Sequence, residues 1–132
     1  MKKAVCLIFS LFLAIQFSKA QTAPSEIFSA FRYYNSDKTP TGSGFKMRHF
    51  INIKSPCLFS IYSDHITFRS RKTINYKIYK MQKYTESKHY WVKDADGQYF
   101  QIGTSDWNVT IEKTDKNGKG LAMTLFNIKR IK

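Results

Sequence analysis

Short runs in which apolar and polar side chains alternate fill most of this chain. The clearest run extends from Lys72 to Met81, where Ile74, Tyr76 and Ile78 share one face and polar residues lie between them. A side-chain period of two is typical of a β-strand with one buried face. No long segment has the 3.6-residue period of an amphipathic helix. The pattern therefore predicts an all-β protein.

Two turn signals show how neighbouring strands connect. Asp94-Ala95-Asp96-Gly97 offers an aspartate side chain as acceptor and a glycine for a positive φ, and Asn117-Gly118 suits a type I′ turn. Hairpins that follow one another along the chain predict an antiparallel meander of about eight strands. Such a meander buries its apolar faces either as a closed, calycin-like barrel or as a two-sheet sandwich.

Two segments near the start of the predicted domain have a less regular pattern. The run from Ile27 to Tyr34 fits either a strand or a short helix capped by Ser25. Turn-forming residues from Asn35 to Gly44 predict a loop.

A proline then divides the next alternating stretch. Ser55-Pro56 predicts a break between a strand from Lys46 to Ile53 and a strand from Cys57 to Tyr62.

The N-terminus has the pattern of a secretory leader. Lys2 and Lys3 precede an apolar run of about 14 residues, and small residues follow before Gln21. A membrane anchor needs about 20 apolar residues, so none is expected. The sequence predicts a cleaved signal peptide over residues 1–20 and one β domain over residues 21–132. The leader resembles those of small exported bacterial proteins, which implies a periplasmic or secreted location.

The charge is strongly basic and unevenly distributed. The formal net charge is +13, and removal of residues 1–20 would leave +10. The segment from Lys38 to Lys93 holds twelve basic residues against Asp64 and Glu86. A field of this sign attracts anionic polymers or anionic surfaces, although it also serves solubility alone.

Basic and aromatic residues interleave within that segment. A groove that binds single-stranded nucleic acid combines cations, which contact the phosphates, with aromatic rings, which stack on the bases. An outward face kept soluble by lysine is the alternative. The candidate residues for binding a polyanion are Arg69, Arg71, Lys72, Lys77, Tyr79, Lys80 and Lys83.

Other functions have weaker support in the sequence. A barrel of this size could carry a small apolar ligand inside. A ribonuclease-like hydrolase could draw on His49, His65 and His89, but no spacing singles out a catalytic pair or a metal site. No cofactor motif is present. We therefore expect a non-catalytic binding or structural protein without metal or cofactor.

One cysteine remains after removal of the leader. Cys57 lies in an apolar run and is expected to pack as a small buried hydrophobe, with a disulfide to another chain as the alternative.

Overall fold

Eight antiparallel strands close into a barrel in the computed structural model, which describes residues 23–37 and 50–132. Each strand pairs with the next along the chain, and the last pairs with the first. The all-β meander is confirmed, and it closes as a barrel rather than a sandwich. The strands are β1 Glu26–Asp37, β2 Ile51–Ile61, β3 His65–Arg69, β4 Thr73–Lys83, β5 Lys88–Lys93, β6 Tyr99–Thr104, β7 Asn108–Thr114 and β8 Gly120–Arg130.

Residues 27–34, for which the sequence predicted either a strand or a short helix, form a strand. β1 includes residues 27–34, with Phe28 and Ala30 buried in the interior, so the helical alternative is wrong. The strand continues to Asp37, and residues 35–37 therefore extend β1 instead of opening a loop. The remainder of that loop, the predicted leader and the start of the strand predicted from Lys46 lie outside the described residues.

The break predicted at Ser55-Pro56 is also wrong, because β2 runs through it. The proline disturbs the pairing instead. Ala30 pairs with Cys57 and Arg32 pairs with Asn52, so the four β2 residues 53–56 lie opposite one residue of β1. Proline lacks the N–H that a ladder requires, and a bulge accommodates it without ending the strand.

Both predicted hairpins form, and both use the same turn. Gly97 and Gly118 have φ of 79° and 82°. The amide of Gly118 donates to the Asp115 carbonyl at 3.0 Å, and the Asp115 amide donates to the Lys119 carbonyl at 2.9 Å. No described residue other than glycine has a positive φ, so Asn117 cannot take part in a type I′ turn. The turn is a three-residue loop with a glycine bulge, which matches the right-handed twist of the strands.

Alanine at Gly118 is expected to cost about 1–2 kcal/mol of stability, because its Cβ disfavours the left-handed backbone region. Asn117→Ala is expected to change stability by less than about 0.5 kcal/mol, since residue 117 has an ordinary φ. Urea denaturation of both variants measures the difference. Equal losses of stability from the substitutions at Gly118 and Asn117 would instead indicate a type I′ turn, in which both central residues have a positive φ.

The core occupies the barrel interior. Its most deeply buried side chains belong to Phe28, Phe59, Ile66, Val92, Ile102 and Val109. Two tyrosines share this interior. Burial raises the pKa of Tyr76 to about 12, with a smaller contribution from Asp94, and burial followed by the Glu26 charge does the same for Tyr90. Both phenols therefore stay protonated at neutral pH.

An ion-pair cluster lies at one end of the barrel, where β1 begins and β8 ends; we call it the closed end. The Glu26 carboxylate accepts from Lys88 Nζ at 3.1 Å and from Arg130 Nη1 at 2.9 Å. The Arg130 guanidinium also lies 4.9 Å from the ring centroid of Phe28 and contacts the exposed Asp106 at 3.2 Å. These contacts tie the first strand to the last.

Candidate functional site

At the opposite end, which we call the open end, the described residues leave part of the interior unfilled. A cavity of about 640 Å³ lies between β8, β1, β2 and the β3–β4 turn. Its lining is mainly apolar in the depth and polar at the mouth. The lining residues are Tyr33, Asn35, Ile51, Asn52, Ile53, Lys54, Ser55, Cys57, Phe68, Ser70, Arg71, Thr124 and Phe126.

Aromatic rings form the floor of the cavity. Phe68 stacks on Phe59 with ring centroids 4.5 Å apart, and Phe126 meets Phe59 edge-on at 5.1 Å. Tyr33 extends the group, its ring 5.9 Å from that of Phe126. Alternation along β2, β3 and β8 directs the three phenylalanines inward, and the bulge in β1 after Ala30 brings Tyr33 to the same side, so that their packing separates the cavity from the core below.

The bulge in β2 shapes one wall. Ile53 and Ser55 belong to the segment that has no direct partner on β1, and both line the cavity. Cys57 follows where pairing resumes. It is buried, as the sequence predicts, and burial raises the pKa of its thiol. The thiol therefore forms part of the cavity wall, where burial disfavours its thiolate form.

The mouth carries positive charge and neutral polar groups. Arg71, in the β3–β4 turn, and Lys54 are exposed there, and neither forms an ion pair with a carboxylate among the described residues. Thr124 donates its hydroxyl hydrogen bond to Asn35 Oδ1 at 2.8 Å. The arrangement offers an anion two cations next to an apolar interior.

A second feature lies on the outer surface of the barrel. Lys77 of β4 pairs directly with Lys93 of β5, and Lys93 pairs with Tyr99 of β6. Lys77, Lys93, Tyr79 and Tyr99 line a cleft of about 320 Å³, which we call the lysine–tyrosine cleft. The two tyrosine rings are 6.0 Å apart at 88°. Burial, with Tyr99 as a second cause, raises the pKa of Tyr79, so its phenol remains a hydrogen-bond donor.

The seven residues selected from the sequence do not form one site. Lys77 and Tyr79 share the cleft, and Lys80 lies beside it with its ammonium 4.6 Å from the ring centroid of Trp91. The other four residues are spread over both ends. Arg69 and Lys72 are exposed at the open end, Arg71 lines the cavity there, and Lys83 lines a polar pocket at the closed end.

Sequence reasoning missed the partners that neighbouring strands supply. Lys93, Tyr99 and Trp91 complete the outer face, and Phe68 and Phe126 form the cavity floor. The hairpin signal at Asp94–Gly97 could have indicated Lys93 and Tyr99 as neighbours, because it brings β5 against β6. The sequence left open whether β8 returns to β1, because it predicted either a closed barrel or a two-sheet sandwich.

The described histidines have structural partners. His65 Nδ1 lies 2.6 Å from Asp64 Oδ1, and this hydrogen bond is the main reason that the pKa of Asp64 is lowered. His89 Nδ1 bonds Gln101 Nε2 at 2.8 Å. His49 lies outside the described residues. Within residues 23–37 and 50–132, no three potential metal-ligating side chains cluster.

No protein family, curated protein sequence or solved structure matches this chain. In the part of the chain that the structure describes, no helix has the length and apolar character to cross a bilayer. Functional inference therefore rests on the cavity and the outer face.

Proposed function

We propose that this protein is an exported, non-catalytic binding protein whose barrel holds a small amphipathic anion. The apolar part of the ligand lies against the aromatic floor, and its anionic head lies at the mouth beside Arg71. The observation that carries the proposal is an apolar cavity of about 640 Å³ that opens at a basic rim.

The size and lining of the cavity suit a small molecule. Ligand sites commonly measure about 300–1,000 Å³, are largely apolar and carry a few polar groups that orient the ligand. Here Phe68, Phe126 and Ile53 supply apolar surface, and burial of each methylene group contributes up to about 0.8 kcal/mol. Affinity for linear chains should therefore rise with chain length, by up to about tenfold for every two methylenes.

The charge at the mouth favours an anionic head. Arg71 presents a planar fork of donors that matches a carboxylate, and Lys54, which also lines the cavity, adds a second positive charge. The leader predicted over residues 1–20 supports contact with ligands outside the cytoplasm.

Titration of the purified protein with dodecanoate, dodecanol and dodecylammonium, followed by calorimetry, tests the proposal. We expect dodecanoate to bind tightest. Arg71→Ala should weaken dodecanoate binding by about tenfold and leave dodecanol binding within about twofold, because only the carboxylate loses a charged hydrogen bond. Lys72→Ala is the matched control, since Lys72 is exposed in the same turn but does not line the cavity.

A variant that obstructs the mouth separates cavity binding from surface adsorption. Ser70→Trp places a large ring at the rim and should abolish binding of all three amphiphiles without lowering stability. Binding that survives Ser70→Trp, or the absence of binding by every amphiphile to the unaltered protein, would overturn the proposal. Equal weakening by Arg71→Ala and Lys72→Ala would reject the role of Arg71.

A further inference from the structure

The outer face of the barrel holds a pair of like charges on neighbouring strands. Lys77 and Lys93 lie directly opposite each other on β4 and β5. Like charges in this arrangement repel and destabilise a sheet. The pKa of the exposed Asp64 is lowered mainly by its hydrogen bond with His65 and only in small part by the Lys77 charge. None of the ion pairs formed between described residues includes either lysine. Such a pair is stabilised when an anion lies between the two ammonium groups.

Aromatic rings flank the pair on the same face. Tyr79 is 53% exposed and meets Tyr99 edge-on, and the Lys93 ammonium lies 4.5 Å from the ring centroid of Tyr99. The bulge in β4 between Ile78 and Lys80 keeps Tyr79 and Lys80 both on the outer side. The Lys80 ammonium over Trp91 then continues the alternation of cation and ring beyond the cleft.

We propose that the lysine–tyrosine cleft binds single-stranded nucleic acid, with a backbone phosphate between Lys77 and Lys93 and a base stacked on Tyr79. Alternating cations and accessible rings are the means by which proteins hold single strands without reading sequence. Unpaired bases are required, because the bases of a duplex are already stacked on one another. The site is separate from the cavity, since the two share no lining residue.

Fluorescence anisotropy with a labelled oligo(dT) of about 15 nucleotides, a duplex of the same length and a heparin oligosaccharide tests the proposal. We expect the single strand to bind tightest at roughly 50 mM salt and more weakly at roughly 200 mM. The double variant Lys77→Ala/Lys93→Ala should weaken oligo(dT) binding by at least about tenfold and flatten its salt dependence. Tyr79→Ala should weaken binding by about fivefold or more with the salt dependence unchanged.

Lys116→Ala/Lys119→Ala is the matched control, because it removes two exposed lysines from the β7–β8 turn and leaves the cleft intact. This control should retain binding within about threefold. Equal losses of oligo(dT) affinity in the two double variants would mean that binding depends on net charge alone, which would overturn the proposal. Preference for the heparin oligosaccharide or the duplex would overturn it as well. Ser70→Trp, which obstructs the cavity, should leave oligo(dT) binding unchanged, so failure of the cavity proposal remains distinguishable.

Discussion

Replacement of Phe59 by alanine is expected to lower the free energy of unfolding by about 3–5 kcal/mol. The Phe59 side chain is 1% exposed, and the centroid of its ring lies 4.5 Å from that of Phe68 and 5.1 Å from that of Phe126. Truncation removes the transfer free energy of the ring and leaves a hole that the rigid barrel wall cannot close. Urea denaturation followed by tryptophan fluorescence measures the loss.

Phe31→Ala is the control for this prediction. Phe31 is also a phenylalanine within a strand, but it lies at the bulge of β1 and its side chain is 51% exposed. Its removal should change stability by less than about 1 kcal/mol. A domain is commonly stable by about 5–15 kcal/mol, so the Phe59 variant should lose a large share of its stability and the control should not. Similar losses in both variants would mean that the aromatic cluster does not form the core of the barrel.

Glu26→Ala is expected to destabilise the protein by about 2 kcal/mol, because it removes the carboxylate that holds Lys88 and Arg130 at the closed end. This expected loss of stability is smaller than the loss for a fully buried ion pair. The Glu26 side chain is 11% exposed, but those of Lys88 and Arg130 are 33% and 44% exposed, so water partly solvates the two cations after the substitution.

Asp106→Ala supplies the matched control, since Asp106 pairs with the same arginine at 3.2 Å but has an 80% exposed side chain. Its loss should cost less than about 0.5 kcal/mol, as is usual for surface ion pairs. Thermal unfolding of the two variants and of the double variant gives the comparison. Equal costs at Glu26 and Asp106 would show that the burial of Glu26 adds nothing to the pairing.

The sequence carried most of the information about the strands. Alternation around Tyr76 and the turn signals that end at Gly97 and Gly118 correctly placed β4 and the last hairpins. Prediction was poorer where long-range pairing decides the outcome. Pro56 was expected to end a strand, but β1 on one side and β3 on the other hold β2 together through a bulge. The turn type at Asn117 also depends on strand twist, which a dipeptide motif does not fix.

The two candidate sites differ in how far sequence could predict them. Lys77 and Tyr79 were selected because a period of two places neighbours i and i+2 on one face, and both line the cleft. Their partners Lys93 and Tyr99 come from adjacent strands through register. The cavity joins residues far apart in the chain, such as Tyr33 and Phe126, so no local pattern could indicate it.

By itself, the sequence determined that this protein is an antiparallel all-β meander with a basic surface, because strand period, turn chemistry and formal charge are local properties. The tertiary structure decided that the meander closes through β1 and β8, that Glu26 holds Lys88 and Arg130 together at one end and that the described residues leave a cavity at the other end. Closure depends on register and strand number, and the cavity depends on how side chains from distant strands fill a shared interior. These are properties of the packed barrel, and no segment of the chain contains them alone.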